Sequence, residues 1–540
     1  MKSIKKIIFV LVCCGSFCAC EDYLAVTPES AYTDESFYLT ATDFETAISG
    51  CYSDLNEIFG KNGTGYINTL IARSDECRNS SEIGRFMESS NSTWWSNPWK
   101  NLWSMVSRCN KILDKIDGVD FSDQTQKANI KGEALALRGY AYFQFAWCWG
   151  GVPLITKPLS LSETHKIARS SQEATYAQAE SDFKQAYELL PEAWPSTKTG
   201  RVTRYAAAGM LGRLYLYQCI SQRRAQKTGE TPTPAMAEKA AEWLKLVIDK
   251  EGSLYKMATV YTDCFDGAKN NSAERVWETQ YLSGASAQAL GLSTYFPSIF
   301  IPSSLNLRRG DGTKMGGVTF TGGSGSFRAS LSIADSSKYE LISGNLDDPL
   351  SVVVFDKRRD ATLVNGLYVD KSTPVYDYYF VKKFLIDSAN FPSAIDYWGT
   401  NLPILRYTDV KMMYAEALNE IDYAANKTTI FSILNEVRTR GGLKPISEVE
   451  LPDYNTVFDC IVHERFVEFA FEGLRWPDLV RWRLAEEKIA EHFALQDEGY
   501  DESTETPMYG MKKYHHLAPI PYIDIVAYNN ENILWQNEGY

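Results

Sequence analysis

Three features of the sequence predict a mostly α-helical protein, a scaffold of tetratricopeptide-like hairpins with a loop-rich region carrying short strands. Apolar residues recur at three- and four-residue steps through both ends of the chain, the spacing of one buried helical face. Small residues alternate with Leu and Tyr in those stretches, as in stacked helical pairs. Between them, residues 261–403 are rich in Gly, Ser and Asp with only scattered β-prone pieces. The chain divides accordingly into a leader at 1–19, a helical region at 20–260, the loop-rich region at 261–403 and a second helical region at 404–540, the last three forming one intertwined unit.

The leader carries Lys2, Lys5 and Lys6, then an apolar run from Ile7 to Cys14 that is too short for a permanent membrane span. Phe17-Cys18-Ala19-Cys20 resembles a bacterial lipobox, which implies cleavage after Ala19, acylation of Cys20 and lipid anchoring in the outer membrane. No later run of apolar residues is long enough to span a bilayer.

Helices follow from about residue 40. Ala134, Leu137, Ala141, Phe145 and Cys148 mark one buried face, stopped by Gly150-Gly151-Val152-Pro153. Thr175–Leu190 is a second amphipathic stretch, closed by Pro191. Arg204–Ile220 is a third, whose Ala206, Ala207, Ala208, Gly209 and Gly212 allow close helix approach, and Pro234 opens a fourth through Ile248. The middle region contains Gly310 to Thr313, Thr321 to Ser326 and the β-prone Ser351–Phe355; it is too long for a linker, and ordered loops on a rigid scaffold are where binding surfaces lie. Helices return at Leu405, with Val410, Met413, Tyr414, Ala417 and Ile421 on one face, then Ile430–Arg440 stopped by Gly441-Gly442. Phe458, Ile461, Val462, Phe466 and Phe469 mark another face, and the Pro- and Asn-rich tail from Leu517 reads as irregular.

Composition excludes several functions. Net charge is −13 and no basic cluster follows the leader, which argues against nucleic acid. Of eleven cysteines, Cys13, Cys14 and Cys18 leave with the leader and Cys20 is lipidated; the seven others are widely spaced with no C-x-x-C, so neither a disulfide framework nor a zinc site organises the fold. Cys109, Cys148 and Cys219 read as small core residues. At 13% aromatic content, with 13 Trp and 32 Tyr, some rings are available for an amphipathic ligand.

The stretch HERFVEFAFEGLRWPDLVRW, residues 463–482, has the density of charge expected of an active site. His463-Glu464 begins like H-E-x-x-H, but Val467 occupies the second ligand position. His515-His516 has no carboxylate at ligand spacing, and no metal or other cofactor is expected. Glu464, Glu468 and Glu472 share a helical face, beside Arg465, and repel unless matched by cations. Arg475, Asp478 and Arg481 follow on a next helix, with Pro477 suited to its first turn, and the arginines are positioned to supply the counter-charge. A glycosidase needs one of two carboxylates raised in pKa; nearby arginines lower it. The stretch therefore reads as an ion-pair lock between helices rather than as catalysis.

Several blocks resemble the SusD/RagB outer-membrane lipoproteins. They are LRYTDVKMMYAEALNE (405–420), LNEVRTRGGL (434–443), the pattern E-R-x-x-E-x-x-F-E-G-x-R-W-x-D-L-x-R-W from Glu464 to Trp482, and PIPYIDI (519–525) with QNEGY (536–540). Trp99, Trp103 and Asn110, the block Glu133–Pro153 (with Gly139 where Ala is common) and the CEDYL start at Cys20 agree as well. The resemblance covers the whole chain and is weakest over 261–403. It implies a non-enzymatic, surface-exposed lipoprotein that captures oligosaccharide or polysaccharide and passes it to a SusC-like TonB-dependent transporter; some members take peptides instead, and a helical glycosidase is the alternative of another class.

Sugar rings present apolar C–H faces to aromatic side chains while polar groups fix orientation. Trp94 and Trp95 in the polar run Asn91–Asn97 read as a loop before the Trp99 helix, where two adjacent indoles cannot both reach a core face. Trp99 and Trp103, one turn apart, read as core. Tyr397, Trp398 and Tyr295 are the second aromatic candidates, and Asp75, Arg78 and Arg85 the hydrogen-bonding ones.

Overall fold

The computed structural model describes residues 37–60, 65–300, 327–335, 337, 339–344, 351, 353–364, 379–385, 397–496, 500, 501, 506, 507 and 510–540. The leader, Cys20 and the CEDYL start lie outside them, as do Gly310 to Thr313 and Thr321 to Ser326.

Helix α1 (Ala41–Phe59) starts on a capping box between Thr40 and Asp43, and α2 (Tyr66–Ala72) is wholly buried. Helix α3 (Thr93–Lys115) carries Pro98 in its second turn. Proline has no N–H to offer the Trp94 carbonyl one turn back; Thr69 Oγ1 donates to that carbonyl instead, at 3.0 Å. Helix α4 (Gln124–Cys148) is capped by Asp123 and buried from Gly132 to Cys148, and Gly150, at φ +82°, turns the chain out of it.

Helices α5 (Gln172–Leu189), α6 (Arg204–Gln218) and α7 (Pro234–Ile248) begin and end within a few residues of the periodicity reading. The small residues allow their close approach. A Cβ on Gly139 of α4 would stand 3.1 Å from Asp182 Cβ of α5, and one on Gly212 of α6 would stand 2.4 Å from Leu244 Cγ of α7. Helix α8 (Tyr407–Arg440) is interrupted at Asp422, whose φ −166° and ψ 102° are extended, so two helices run end to end as the sequence divides them.

The loop-rich region is anchored at both ends by one ladder, β2 (Arg275–Glu278) antiparallel to β4 (Pro403–Arg406). Two further short strands, β1 (Cys77–Arg78) and β3 (Arg328–Ala329), join residues far apart in sequence. Val354–Phe355, within the β-prone stretch, pairs with Leu341–Ser343. Among the described residues no helix is long and apolar enough to cross a membrane, and the seven remaining cysteines are free.

Helices α9 (Tyr454–Glu468) and α10 (Arg475–Arg481) carry the charge-dense stretch, which α11 (Ala485–Gln496) follows. The counter-charges differ from the sequence expectation. Glu464 is met by Arg358 and Arg438, each at 2.8 Å; Glu468 by Arg440 at 2.5 Å and Arg406 at 3.1 Å; Glu472 by Arg406 and Lys383, each at 2.8 Å. The arginines of α10 are engaged elsewhere, Arg475 with Asp75 and Arg481 with Glu416 and Asp478. Arg465 bridges Asp478 and Asp409, and Asp409 also accepts from Arg213 of α6 at 2.5 Å. The network thus ties α6, α8, α9, α10 and the loop-rich region together, where the sequence suggested a lock between two neighbours.

The tail is a second correction. Helix α12 (Tyr522–Tyr528) stands where an irregular segment was expected. Pro521 sits at its N-cap and Asn529, left-handed at φ 46°, closes it; the Pro and Asn that suggested irregularity are the punctuation of a short helix.

Candidate functional site

The predicted ligand residues come from four places: the segment between α2 and α3 that contains β1, the start of α3, the residue before the turn at Phe296–Phe300, and the bridge at Trp398. Ring contacts join two of these. Trp94 lies 6.3 Å from Phe327, Phe327 lies 6.2 Å from Phe300, and Phe300 lies 5.4 Å from Phe296. The β1–β3 ladder holds this arrangement, setting Arg78 opposite Arg328 next to Phe327.

Trp94 and Trp95 sit in the first turn of α3, not in a loop. Neighbouring helical residues point about 100° apart, so one indole enters the core and the other does not. Trp95 is 2% exposed, packed edge-on against Trp149 with Arg73 over its ring. Trp94 remains half-buried. Trp398 is interior as well: 5% exposed, its indole N–H donates to Ser298 Oγ at 2.8 Å, and its carbonyl accepts from Thr294 N. It fastens one loop to another. Tyr295 and Tyr397 flank that bridge and are half-buried.

Asp75 is 4% exposed, and both carboxylate oxygens accept from Arg475 at 2.8 Å, so its hydrogen-bonding capacity is committed to holding α10. Arg78 and Arg85 are half-buried. The structure therefore leaves Trp94, Tyr295, Tyr397, Arg78 and Arg85 at the surface and takes Trp95, Trp398 and Asp75 into the scaffold. Phe327 and Arg328 went unnamed in the sequence reading; a two-residue ladder between β1 and β3, remote in sequence, leaves no local periodicity to read.

The acids raised furthest in pKa are interior. Burial pushes Glu76 up to about 8, despite a hydrogen bond from Phe471 N, and Glu133 and Glu420 to about 7 each. Glu133 accepts from Tyr52 Oη and Arg201, and Glu420 from Tyr454 Oη and Gln222 N. In the charge-dense stretch the direction reverses: burial would raise Glu468, but Arg440, Arg406, Arg358 and Lys383 hold it down to about 2. His463 is lowered, by burial first, and His516 Nε2 lies 2.7 Å from Glu486. Among the described residues no group of three His, Cys, Asp or Glu side chains is placed to hold a metal ion.

Comparison with known proteins agrees with this architecture. A family described as "Starch-binding associating with outer membrane" matches residues 22–216, and the SusD family matches residues 370–540. SusD-like protein P25 of Formosa agariphila is 26% identical, over 96% of each chain. A SusD-like protein of Bacteroides ovatus is 25% identical, over 93% of this chain and 86% of that one. Among solved structures, a laminarin-binding SusD-like protein superposes with a TM-score of 0.71 at 22% identity, and surface glycan-binding protein A of Bacteroides fluxus with 0.70 at 19%; each covers 93% of this chain and all of the other. The same helical scaffold thus recurs in proteins of that family, whose models match this chain near both ends. The chain belongs to the SusD/RagB family.

Proposed function

We propose that the protein is a non-enzymatic glycan-capture lipoprotein of the outer membrane, anchored through Cys20, which passes oligosaccharide to a SusC-like TonB-dependent transporter. The observation that carries the reading is the near-full-length likeness to solved proteins named as laminarin-binding and glycan-binding. The half-buried Trp94, with Tyr295, Tyr397 and the guanidinium of Arg78, supplies what sugar recognition needs: an aromatic face for C–H groups and polar groups for hydroxyls. Glu464 and Glu468 are matched by arginines and held ionised, and Glu472 and Asp478 are ion-paired, which suits scaffold and not proton transfer.

Native gels cast with single polysaccharides, laminarin among them, test the binding. Retardation by at least one polysaccharide without release of reducing ends is expected. Hydrolysis that disappears with a carboxylate substitution would overturn the non-enzymatic reading, and uniform mobility in every gel would overturn glycan capture. For the anchor and partner, the Cys20→Ala variant is expected to leave the membrane fraction, and the wild-type protein to co-purify with a large outer-membrane barrel.

A further inference from the structure

We propose that the cavity between α3, the 153–165 segment and α12 is a sugar-ring subsite, separate from the Trp94 surface. This deepens the glycan-capture reading and rests on it. The cavity has a volume of about 230 Å³. Pockets for drug-sized ligands run to about 300–1,000 Å³, so this one suits a single ring rather than a chain segment.

Its walls are aromatic. Trp103, read from sequence as core, is only half-buried: its ring packs on Phe145 at 4.6 Å, and the residue also lines the cavity. Tyr528 and His165, with rings 4.6 Å apart, line it as well, and Ile155 and Leu159 add apolar surface. The polar groups distinguish it from an apolar anchor pocket. Among the described residues, the half-buried Trp103 Nε1, Tyr528 Oη and His165 ring make no hydrogen bond to the fold, and Lys157, which also lines the cavity, is exposed. Asp524 also lines the cavity; burial raises its carboxyl, opposed by a hydrogen bond from Trp99 and by His165.

The contrast with the residues singled out from sequence is chemical. Trp398 and Asp75 have spent their polar atoms on Ser298 and Arg475, whereas this cavity keeps an indole N–H, a phenol and an imidazole uncommitted. A hydroxyl-bearing ring satisfies such groups while its C–H face covers the indole; an alkyl group would leave them desolvated and unpaired. Lys157 and Asp524 offer a donor and an acceptor, the pair that a vicinal diol engages.

Saturation-transfer NMR on the full-length protein, with glucose, galactose, mannose and N-acetylglucosamine as separate probes at millimolar concentration, tests the assignment. At least one sugar is expected to receive saturation. Trp103→Ala is expected to abolish the transfer; Asp524→Asn and His165→Ala, which leave the packing against Phe145 intact, weaken it by about tenfold, close to one hydrogen bond to a charged group. All of these are read in a Trp94→Ala background, in which the Trp94 surface contributes no transfer. Transfer to none of the four sugars overturns the subsite, as does transfer that survives in Asp524→Asn and His165→Ala with melting temperatures unaltered. Polysaccharide gels on the same proteins separate the two failures. Retardation of wild type without any transfer sinks the subsite and leaves glycan capture standing; neither retardation nor transfer sinks both.

Discussion

Replacing Glu468 by Gln decides whether the charges at 463–482 hold the fold together. The carboxylate is fully buried, 2.5 Å from Arg440, 3.1 Å from Arg406 and 3.5 Å from Arg358. Burial raises its pKa and those cations more than reverse the effect, taking it from 4.5 to about 2. The difference, 4.5 − 2 or about 2.5 units at about 1.36 kcal/mol each, is worth about 3 kcal/mol. Removing one partner of a buried pair costs about 3–5 kcal/mol, so the two routes agree. Unfolding entropy of about 2.1 cal/mol/K per residue gives about 1 kcal/mol/K over 540 residues, and Glu468→Gln should lower Tm by about 3 °C at pH 7. Because the folded pKa lies below the unfolded one, the stabilisation is complete above pH 4.5 and lost as pH falls through 2. Calorimetry at pH 7 and at pH 3 reads both effects: the gap between wild type and variant should narrow in acid while polysaccharide retention at pH 7 persists. A gap equal at both pH values, or under about 1 °C at pH 7, refutes the argument.

The two adjacent indoles should separate cleanly. Trp95→Ala opens a cavity in the core and costs about 3–5 kcal/mol, read as lowered Tm, whereas Trp94→Ala should leave Tm nearly unchanged and weaken polysaccharide retention. Gly212→Ala sets two effects against each other. Alanine is the better helix former by about 1 kcal/mol, but its Cβ would stand 2.4 Å from Leu244 Cγ. Overpacking at about 1–3 kcal/mol wins, so a lower Tm is expected, and a higher one would mean that α6 and α7 pack less closely. Glu76, raised from 4.5 to about 8 by burial, keeps in the folded state a proton that the unfolded chain releases, so it erodes stability as pH climbs from 4.5 to 8. Glu76→Gln should flatten that decline in Tm, and an unchanged slope would place the titration elsewhere.

What was legible in the sequence is what repeats locally. The 3.6-residue period and its stops gave α5, α6 and α7 to within a few residues and both ends of the broken α8, because Pro191, Pro234 and Gly441 act on their own neighbours. The second half of α8, though, starts just after Asp422 and not at Ile430. The need of Glu464, Glu468 and Glu472 for counter-charge followed from their spacing, but Glu472 falls in the turn after α9 and their partners could not be named. Arg358, Lys383 and Arg406 lie 62 to 110 residues away along the chain, and no pattern in the sequence announces which of many arginines folds back. The burial of the aromatic candidates was illegible for a related reason. Trp95 and Trp398 look like ligand residues in a polar run, and their fate depends on which way one helical turn or one bridge points them.

The buried charges also bear on where the proposed ligand residues sit. Arg358, Lys383 and Arg406 belong to the loop-rich region and its edge, and their carboxylate partners belong to α9 and the turn after it. Each such pair is costly to break, at about 3–5 kcal/mol, so the base of the loop-rich region is fixed to the helices through contacts that involve no ligand. Arg475 does the same for Asp75, three residues before the half-buried Arg78. The acids and arginines that looked like chemistry hold the scaffold, and the half-buried aromatic residues are the ones the proposed capture would use. On the proposed reading, specificity changes by substitution at Trp94, Tyr295 or Tyr397, none of which takes part in the ion pairs that keep the scaffold in register.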